Sequence, residues 1–83
     1  MKFIANIDIM PLKELLDPQG KVVGKNMSNI GISGIEDVRI GKHIQIILEA
    51  NDMTEAEGKI EESCKKILAN QIMEGYKFTV SQI

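Results

Sequence analysis

Residues 34–49 read GIEDVRIGKHIQIILE and carry the clearest local pattern in the chain. Apolar and polar residues alternate with a period of two on both sides of Gly41, which is typical of strands that bury one face. We therefore predict a β-hairpin. A three-residue turn ending at His43 keeps the apolar residues on one face, whereas a two-residue turn mixes the faces. Ile47 points to the polar face, which indicates either a covering chain or a single exposed side chain.

The N-terminal half of the chain predicts a strand followed by a helix. Residues 2–10 alternate as a strand does. Asp17 is a good N-cap, and Pro18 suits the first helical position, where its missing N–H is no loss. Gly31 is a natural left-handed C-cap, so the predicted helix covers residues 18–30.

The C-terminal half predicts a second helix and a last strand. Thr54 and Glu57 have the spacing of a capping box, which predicts the start of the helix. One apolar face follows at helical spacing: Ala56, Ile60, Cys64, Ile67 and Leu68. Alternation from Tyr76 onward predicts the final strand.

The element order is therefore β-α-β-β-α-β in a single domain spanning residues 1–83. Each helix has one apolar side and needs a sheet face to cover it. The sequence predicts an α+β two-layer sandwich, with an antiparallel sheet and two helices on one face, as in the ferredoxin-like plan.

Composition excludes several classes of function. The net charge is −2 and the lysines and arginines are dispersed, which argues against a nucleic-acid binder. No apolar run approaches the ~20 residues of a membrane span, and residues 1–8 do not resemble a signal peptide. Cys64 is the only cysteine, so no intramolecular disulfide can form, and a cytoplasmic location is expected.

The sequence offers no recognisable catalytic or metal site. His43 is the only histidine, and no nucleophile or carboxylate constellation is evident around it. Cys64 lies on the apolar stripe of a helix, where a buried thiol packs as a small hydrophobe. One cysteine and one histidine twenty-one residues apart do not form a metal-ligand pattern. We expect no catalytic, cofactor-binding or metal-binding residue in this chain.

Three motifs in order resemble the PurS family, the small subunits of phosphoribosylformylglycinamidine synthase. They are LDPQG at residues 16–20, DVRIGKHI at residues 37–44 and LAN at residues 68–70 before Tyr76. The resemblance extends over the whole chain in length and element order. The chain departs from the family pattern at two positions: Gln71 stands where a proline is usual, and Gly75 where an acidic residue is usual.

The resemblance implies a non-catalytic bridging subunit in purine biosynthesis. In such a complex, ammonia released by a glutaminase subunit attacks formylglycinamide ribonucleotide on a large ATP-dependent synthetase subunit. The small subunit is expected to form a homodimer or tetramer, to contact both other subunits and to support ammonia transfer. ATP and Mg are used by the synthetase subunit, and this chain is expected to bind no cofactor.

We expect the partner interface near the turn of the hairpin. Arg39, Lys42 and His43 place hydrogen-bond donors there, and Ile47 adds an apolar contact on the polar face. The alternative interpretation is a ligand-binding regulatory domain of the ACT type, which shares the element order. That type needs a glycine-bearing turn before the first helix, which this chain lacks.

Overall fold

Three antiparallel strands form the sheet in the computed structural model, which describes residues 1–13 and 18–83. The central strand β1 (Lys2–Pro11) lies between β2 (Lys42–Glu49) and β3 (Glu74–Gln82). The helices are α1 (Pro18–Asn29) and α2 (Met53–Ser63), and α2 continues into a π-helical turn, Cys64–Leu68. The predicted α+β class, with an antiparallel sheet and two helices, is confirmed.

The alternation in β1 decides which face of the sheet is buried. Phe3, Ala5, Ile7 and Ile9 are all at most 1 % exposed and form the centre of the core. Their neighbours along the strand point to the opposite face and remain partly exposed. Since successive strand residues alternate between faces, one run of four apolar residues fixes the core side of the whole sheet.

Helix α2 covers this face over β1 and β3. Ala56 and Ile60 of α2, and Cys64 at the start of the π-helical turn, are fully buried against the sheet, as the predicted stripe requires. The Tyr76 hydroxyl of β3 donates to the Glu61 carboxylate at 2.8 Å. This hydrogen bond raises the pKa of Tyr76 to about 12 and lowers the pKa of Glu61.

The predicted capping box of α2 is wrong by two residues. Asp52 is the N-cap, because its Oδ1 accepts from the amide of Glu55 at 2.8 Å. Glu55 accepts from the amide and the side chain of Asn51, so a similar reciprocal arrangement exists two residues earlier than predicted. Thr54 and Glu57 are both exposed. An acidic cap followed by Glu at the third position serves the first-turn amides equally well.

The π-helical turn explains a second difference, at Ile67. The sequence placed Ile67 on the buried stripe, but its side chain is 80 % exposed. The amide of Ala69 donates to the carbonyl of Cys64, five residues earlier, so the turn is wider than an α-helical one. The residues that face the core after Cys64 are therefore Leu68 and Ala69.

Helix α1 ends as predicted. Pro18 is its first residue, whereas the predicted Asp17 cap lies outside the described residues. Gly31 has a φ of +87°. The amides of Gly31 and Ile32 donate to the carbonyls of Ser28 and Met27, which is the Schellman arrangement.

Helix α1 does not cover the sheet, contrary to the prediction of two helices on one face. Gly20 is its only buried residue among those described, and α1 makes few contacts with any strand. Residues 35–41 return along α1, where Val38 lies beside Gly24. We call residues 18–41 the arm. With the arm extended, the radius of gyration is 16.5 Å, against about 12 Å for a compact chain of this length.

The predicted hairpin is also corrected. Residues 38–40 lie outside the sheet, and β2 pairs with β1 instead. Ile44 and Ile46 face Ile7 and Ala5, not Ile40 and Val38. The alternating pattern correctly predicted that β2 is a strand. Its partner, however, is β1, which lies about forty residues earlier in the chain.

Candidate protein-interaction surface

The outer face of the sheet, opposite α2, carries two of the four predicted interface residues. His43 contacts Asp8 on the central strand, with 2.6 Å between Nδ1 and Oδ1. Lys77 of β3 faces Asp8 from the other side in the strand register. Both members of the His43–Asp8 pair are about half exposed, so this contact is a solvated one.

Further along the outer face the character changes from charged to apolar. The Gln45 amide donates to Asn6 at 3.1 Å. Beyond it, Ile47 faces Ile4 and is 62 % exposed, as the sequence predicted for a residue on the polar face. The outer face is therefore polar from His43 to Gln45 and becomes apolar where Ile47 faces Ile4.

The other two predicted residues lie apart from this face. Lys42 begins β2 and lies 3.7 Å from Glu74 at the start of β3, so it bridges the end of the sheet. Arg39 lies in the returning segment of the arm and is partly buried. Its Nη2 is enclosed and has no hydrogen-bond acceptor among the described residues. The four predicted interface residues therefore do not lie at one turn, because β2 pairs with β1 and not with residues 38–40.

Gly41 sets the junction between the arm and the sheet. An ideal Cβ at this position would collide with the carbonyl oxygen of Ile9 and the sulfur of Met10. Only glycine lets the chain pass this close to β1 before β2 begins. The glycine between Ile40 and Lys42, which suggested a turn, is needed here for close approach.

A second surface was missed by the sequence analysis, because its residues were assigned to the core. On α1, Val22 is 60 % exposed and Val23 is 39 % exposed, and Ile30, directly after the helix, is 74 % exposed. A shallow apolar groove lies beside them, lined by Pro18, Gln19, Val22, Val23 and Ile40. Val22, Val23, Met27 and Ile30 recur at helical spacing in the sequence, but periodicity alone does not say which molecule covers such an apolar stripe.

The sheet has a corresponding gap on its core face. Ile44, Ile46 and Leu48 of β2 point to that face but remain partly exposed. Helix α2 lies over β1 and β3, so the space over β2 has no helix from the described part of this chain. In a two-layer sandwich this space normally holds a second helix.

Cys64 and the acidic side chains of the described residues are candidate reactive or metal-binding groups. Cys64 is fully buried, and burial raises the pKa of its thiol. The described residues contain no cluster of three His, Cys, Asp or Glu side chains that could hold a metal ion. Within the same residues, no helix has the length and apolar content needed to cross a membrane.

Comparisons with known proteins agree with this geometry. The family model described as PurS, phosphoribosylformylglycinamidine (FGAM) synthase, matches residues 4–82. The PurS subunit of Bacillus subtilis is 36 % identical over 73 residues, covering 87 % of this chain and 86 % of that protein. The PurS subunit of Methanocaldococcus jannaschii is 30 % identical and covers 95 % of both chains.

Solved structures show the same fold. Thermus thermophilus PurS superposes with a TM-score of 0.87 at 32 % identity, covering 100 % of this chain and 99 % of that one. Bacillus subtilis PurS gives a TM-score of 0.87 at 29 % identity, covering 96 % and 99 %. With a family match over nearly its whole length, the chain belongs to the PurS family, the PurS subunits of the purine-biosynthetic FGAM synthase.

Proposed function

We propose that this chain is a non-catalytic bridging subunit of its FGAM synthase. In this role it holds a glutaminase subunit and a large synthetase subunit together and supports transfer of glutamine-derived ammonia between them. The observation that carries the proposal is the amount of ordered apolar surface left uncovered on an extended chain. A Thermotoga maritima relative of the same fold is described in a structure of PurLQS, an assembly in which PurS is one component.

The first partner in this proposal is a second copy of the chain. Helix α1 has an exposed apolar side, and the sheet has an uncovered space over β2. If two copies exchange α1, each helix covers Ile44, Ile46 and Leu48 of the other sheet. The exchange buries the apolar side of α1 and the uncovered core face of β2 in the same symmetric interface, as expected for a two-fold dimer.

Self-association through the arm is tested by adding a charge to α1. Val22→Lys is expected to give a folded monomer, because Val22 is already 60 % exposed in the single chain. Ser28→Lys adds the same charge elsewhere on the same helix and is expected to remain dimeric. Ile47→Lys places the charge on the outer face of the sheet. Sedimentation at micromolar concentration would contradict the arm exchange if only Ile47→Lys dissociates the dimer, or if the wild-type chain is monomeric.

The second part of the proposal concerns Arg39. Its enclosed Nη2 lacks an acceptor among the described residues, an arrangement that is unfavourable until a carboxylate or carbonyl is supplied. A planar guanidinium suits a carboxylate of another subunit. Arg39→Ala should therefore weaken assembly and lower glutamine-dependent turnover in a reconstituted three-subunit assay, while ammonia-dependent turnover changes less. Equal glutamine-dependent rates for Arg39→Ala and wild type would refute this role.

Catalysis and cofactor binding are assigned to the other subunits. ATP and Mg belong to the synthetase subunit in this proposal, and the whole assembly works in the cytoplasm. The purified chain should neither hydrolyse glutamine nor turn over ATP. An activity that co-purifies with the chain and disappears in His43→Ala would overturn this assignment.

A further inference from the structure

Strand β3 lies at one edge of the sheet, and its outer side has no neighbour among the described residues. It pairs with β1 without interruption from Glu74 to Gln82, so no bulge twists it away. The strand contains no proline, and Lys77 is its only charged residue after Glu74. Natural proteins protect edge strands with bulges, prolines, charges or a covering segment, because an open edge pairs with other strands. β3 therefore presents a long edge with little of this protection.

The hydrogen bonds at the two ends of the β1–β3 ladder show which backbone groups face the open edge. The amide of Leu12 donates to the carbonyl of Met73, and the amide of Ile83 donates to the carbonyl of Lys2. Hydrogen-bonded pairs alternate along an antiparallel ladder, so the odd-numbered residues of β3 bond to β1. The even-numbered residues direct their N–H and C=O groups to the open edge: Glu74, Tyr76, Phe78, Val80 and Gln82.

The same even-numbered residues carry the large apolar side chains of β3. Tyr76, Phe78 and Val80 pack against the core, yet each is only partly buried. The rings of Tyr76 and Phe78 are stacked, with centroids 6.5 Å apart. Since side chains on one face of paired strands lie side by side, a strand added at this edge would also cover these three residues.

We propose that β3 pairs with β3 of a second copy, antiparallel and centred on Phe78. Phe78 is the middle residue of Glu74–Gln82, so a two-fold axis at this position engages the whole strand. Phe78 then faces Phe78 of the second copy, and Tyr76 faces Val80. In this register the open backbone groups pair with each other, and apolar side chains meet apolar side chains.

The charges of β3 are compatible with this register. Lys77 faces Thr79 of the second copy, and Gly75 faces Ser81, so no two like charges are opposed. An axis at Lys77 would instead place two lysines opposite each other. The strand is therefore complementary to itself, which favours a second copy over an unrelated strand as the occupant of this edge.

The helical layer also allows the pairing. α2 lies over β1 and β3, and a two-fold axis perpendicular to the sheet keeps both α2 helices on the same face. Two three-stranded sheets then become one continuous sheet. With strands ~4.8 Å apart, helices centred between β1 and β3 of each copy lie about 10 Å from each other, a normal packing distance. The contact uses the edge opposite β2, so it goes beyond the bridging function and is separate from the exchange of α1.

The test changes the residue that faces Lys77. Thr79→Glu places a carboxylate opposite each of the two lysines and is expected to tighten self-association roughly tenfold, whereas Thr79→Lys is expected to weaken it by a similar factor. Ser81→Glu and Ser81→Lys are matched controls, because Ser81 faces the uncharged Gly75. Each substitution is made in the wild-type chain and in Val22→Lys, in which the exchange of α1 is disrupted.

Self-association is measured by sedimentation equilibrium from about 10 μM to about 1 mM, because a strand edge buries little surface and pairs weakly. Circular dichroism checks the fold of each variant. Tighter association of Thr79→Glu and weaker association of Thr79→Lys, with both Ser81 variants unchanged, supports pairing centred on Phe78. Tighter association of Ser81→Glu together with weaker association of Thr79→Glu moves the axis to Thr79 and overturns the proposed register.

Two other results overturn the contact itself. One is a Val22→Lys chain that remains monomeric throughout this range, or whose self-association no Thr79 or Ser81 variant changes. The other is a Thr79→Lys chain that self-associates normally but loses binding to the immobilised glutaminase or synthetase subunit, because the edge then belongs to that subunit. The bridging function fails separately, if the wild-type chain binds neither subunit.

Discussion

Replacing three glycines by alanine, one at a time, should change the stability of this protein in opposite directions. The chemical change is the same at each position, but the surroundings differ. At Gly41 the new Cβ meets the backbone carbonyl of Ile9 and the sulfur of Met10. At Gly31 nothing is close, but φ is +87°. At Gly58, inside α2, nothing lies within 4 Å of the new atom.

The magnitudes follow from these surroundings. Gly41→Ala requires β2 to move away from the central strand, and forced overpacking of this kind costs about 1–3 kcal/mol. Gly31→Ala places a side chain in the left-handed region, which costs roughly 1–2 kcal/mol. Gly58→Ala removes a flexible residue from a helix and should stabilise the protein by up to about 1 kcal/mol.

Urea denaturation followed by circular dichroism measures all three changes. The variants must be compared at one protein concentration, because self-association would make the midpoint depend on concentration. In thermal unfolding, 1 kcal/mol corresponds to about 4–8 °C for a chain of this size. A Gly41→Ala variant as stable as wild type, or a Gly58→Ala variant less stable than wild type, would contradict these expectations.

Three further substitutions test the fold. Asp52→Ala should lower the free energy of unfolding by about 1 kcal/mol through loss of the α2 cap, whereas Thr54→Ala should have little effect; equal losses would contradict the assignment of the cap. Ile60→Ala, at a position only 1 % exposed, should cost about 2–5 kcal/mol, while the exposed Ile67→Ala should be nearly neutral in chemical denaturation. The pKa of Tyr76 is raised to about 12 by its carboxylate hydrogen bond. The Tyr76–Glu61 hydrogen bond therefore contributes fully to the free energy of unfolding below pH ~10, and this contribution is lost as the pH rises towards 12. Tyr76→Phe should remove this part of the alkaline stability loss, and an unchanged pH profile between pH 10 and 12 would contradict it.

The sequence determined those features that depend on neighbouring residues. Alternation placed Phe3, Ala5, Ile7 and Ile9 on the buried face of β1, and Gly31 ended α1 because only a residue without a side chain enters the left-handed region cheaply. The stripe of α2 was correct up to Cys64 for the same local reason. The motif-based resemblance also identified the family, which the comparisons confirm.

Only the tertiary structure decided which elements meet. A period of two predicts a strand but does not choose its partner, so β2 was paired with residues 38–40 when its true neighbour is β1. His43 was placed among donors at a turn, whereas the sheet register brings it to Asp8, thirty-five residues away in sequence. An apolar stripe likewise predicts burial without naming the covering molecule, which is why α1 was assigned to its own sheet. Local pattern is set by backbone geometry within a few residues, but pairing depends on contacts whose partners are distant in the chain.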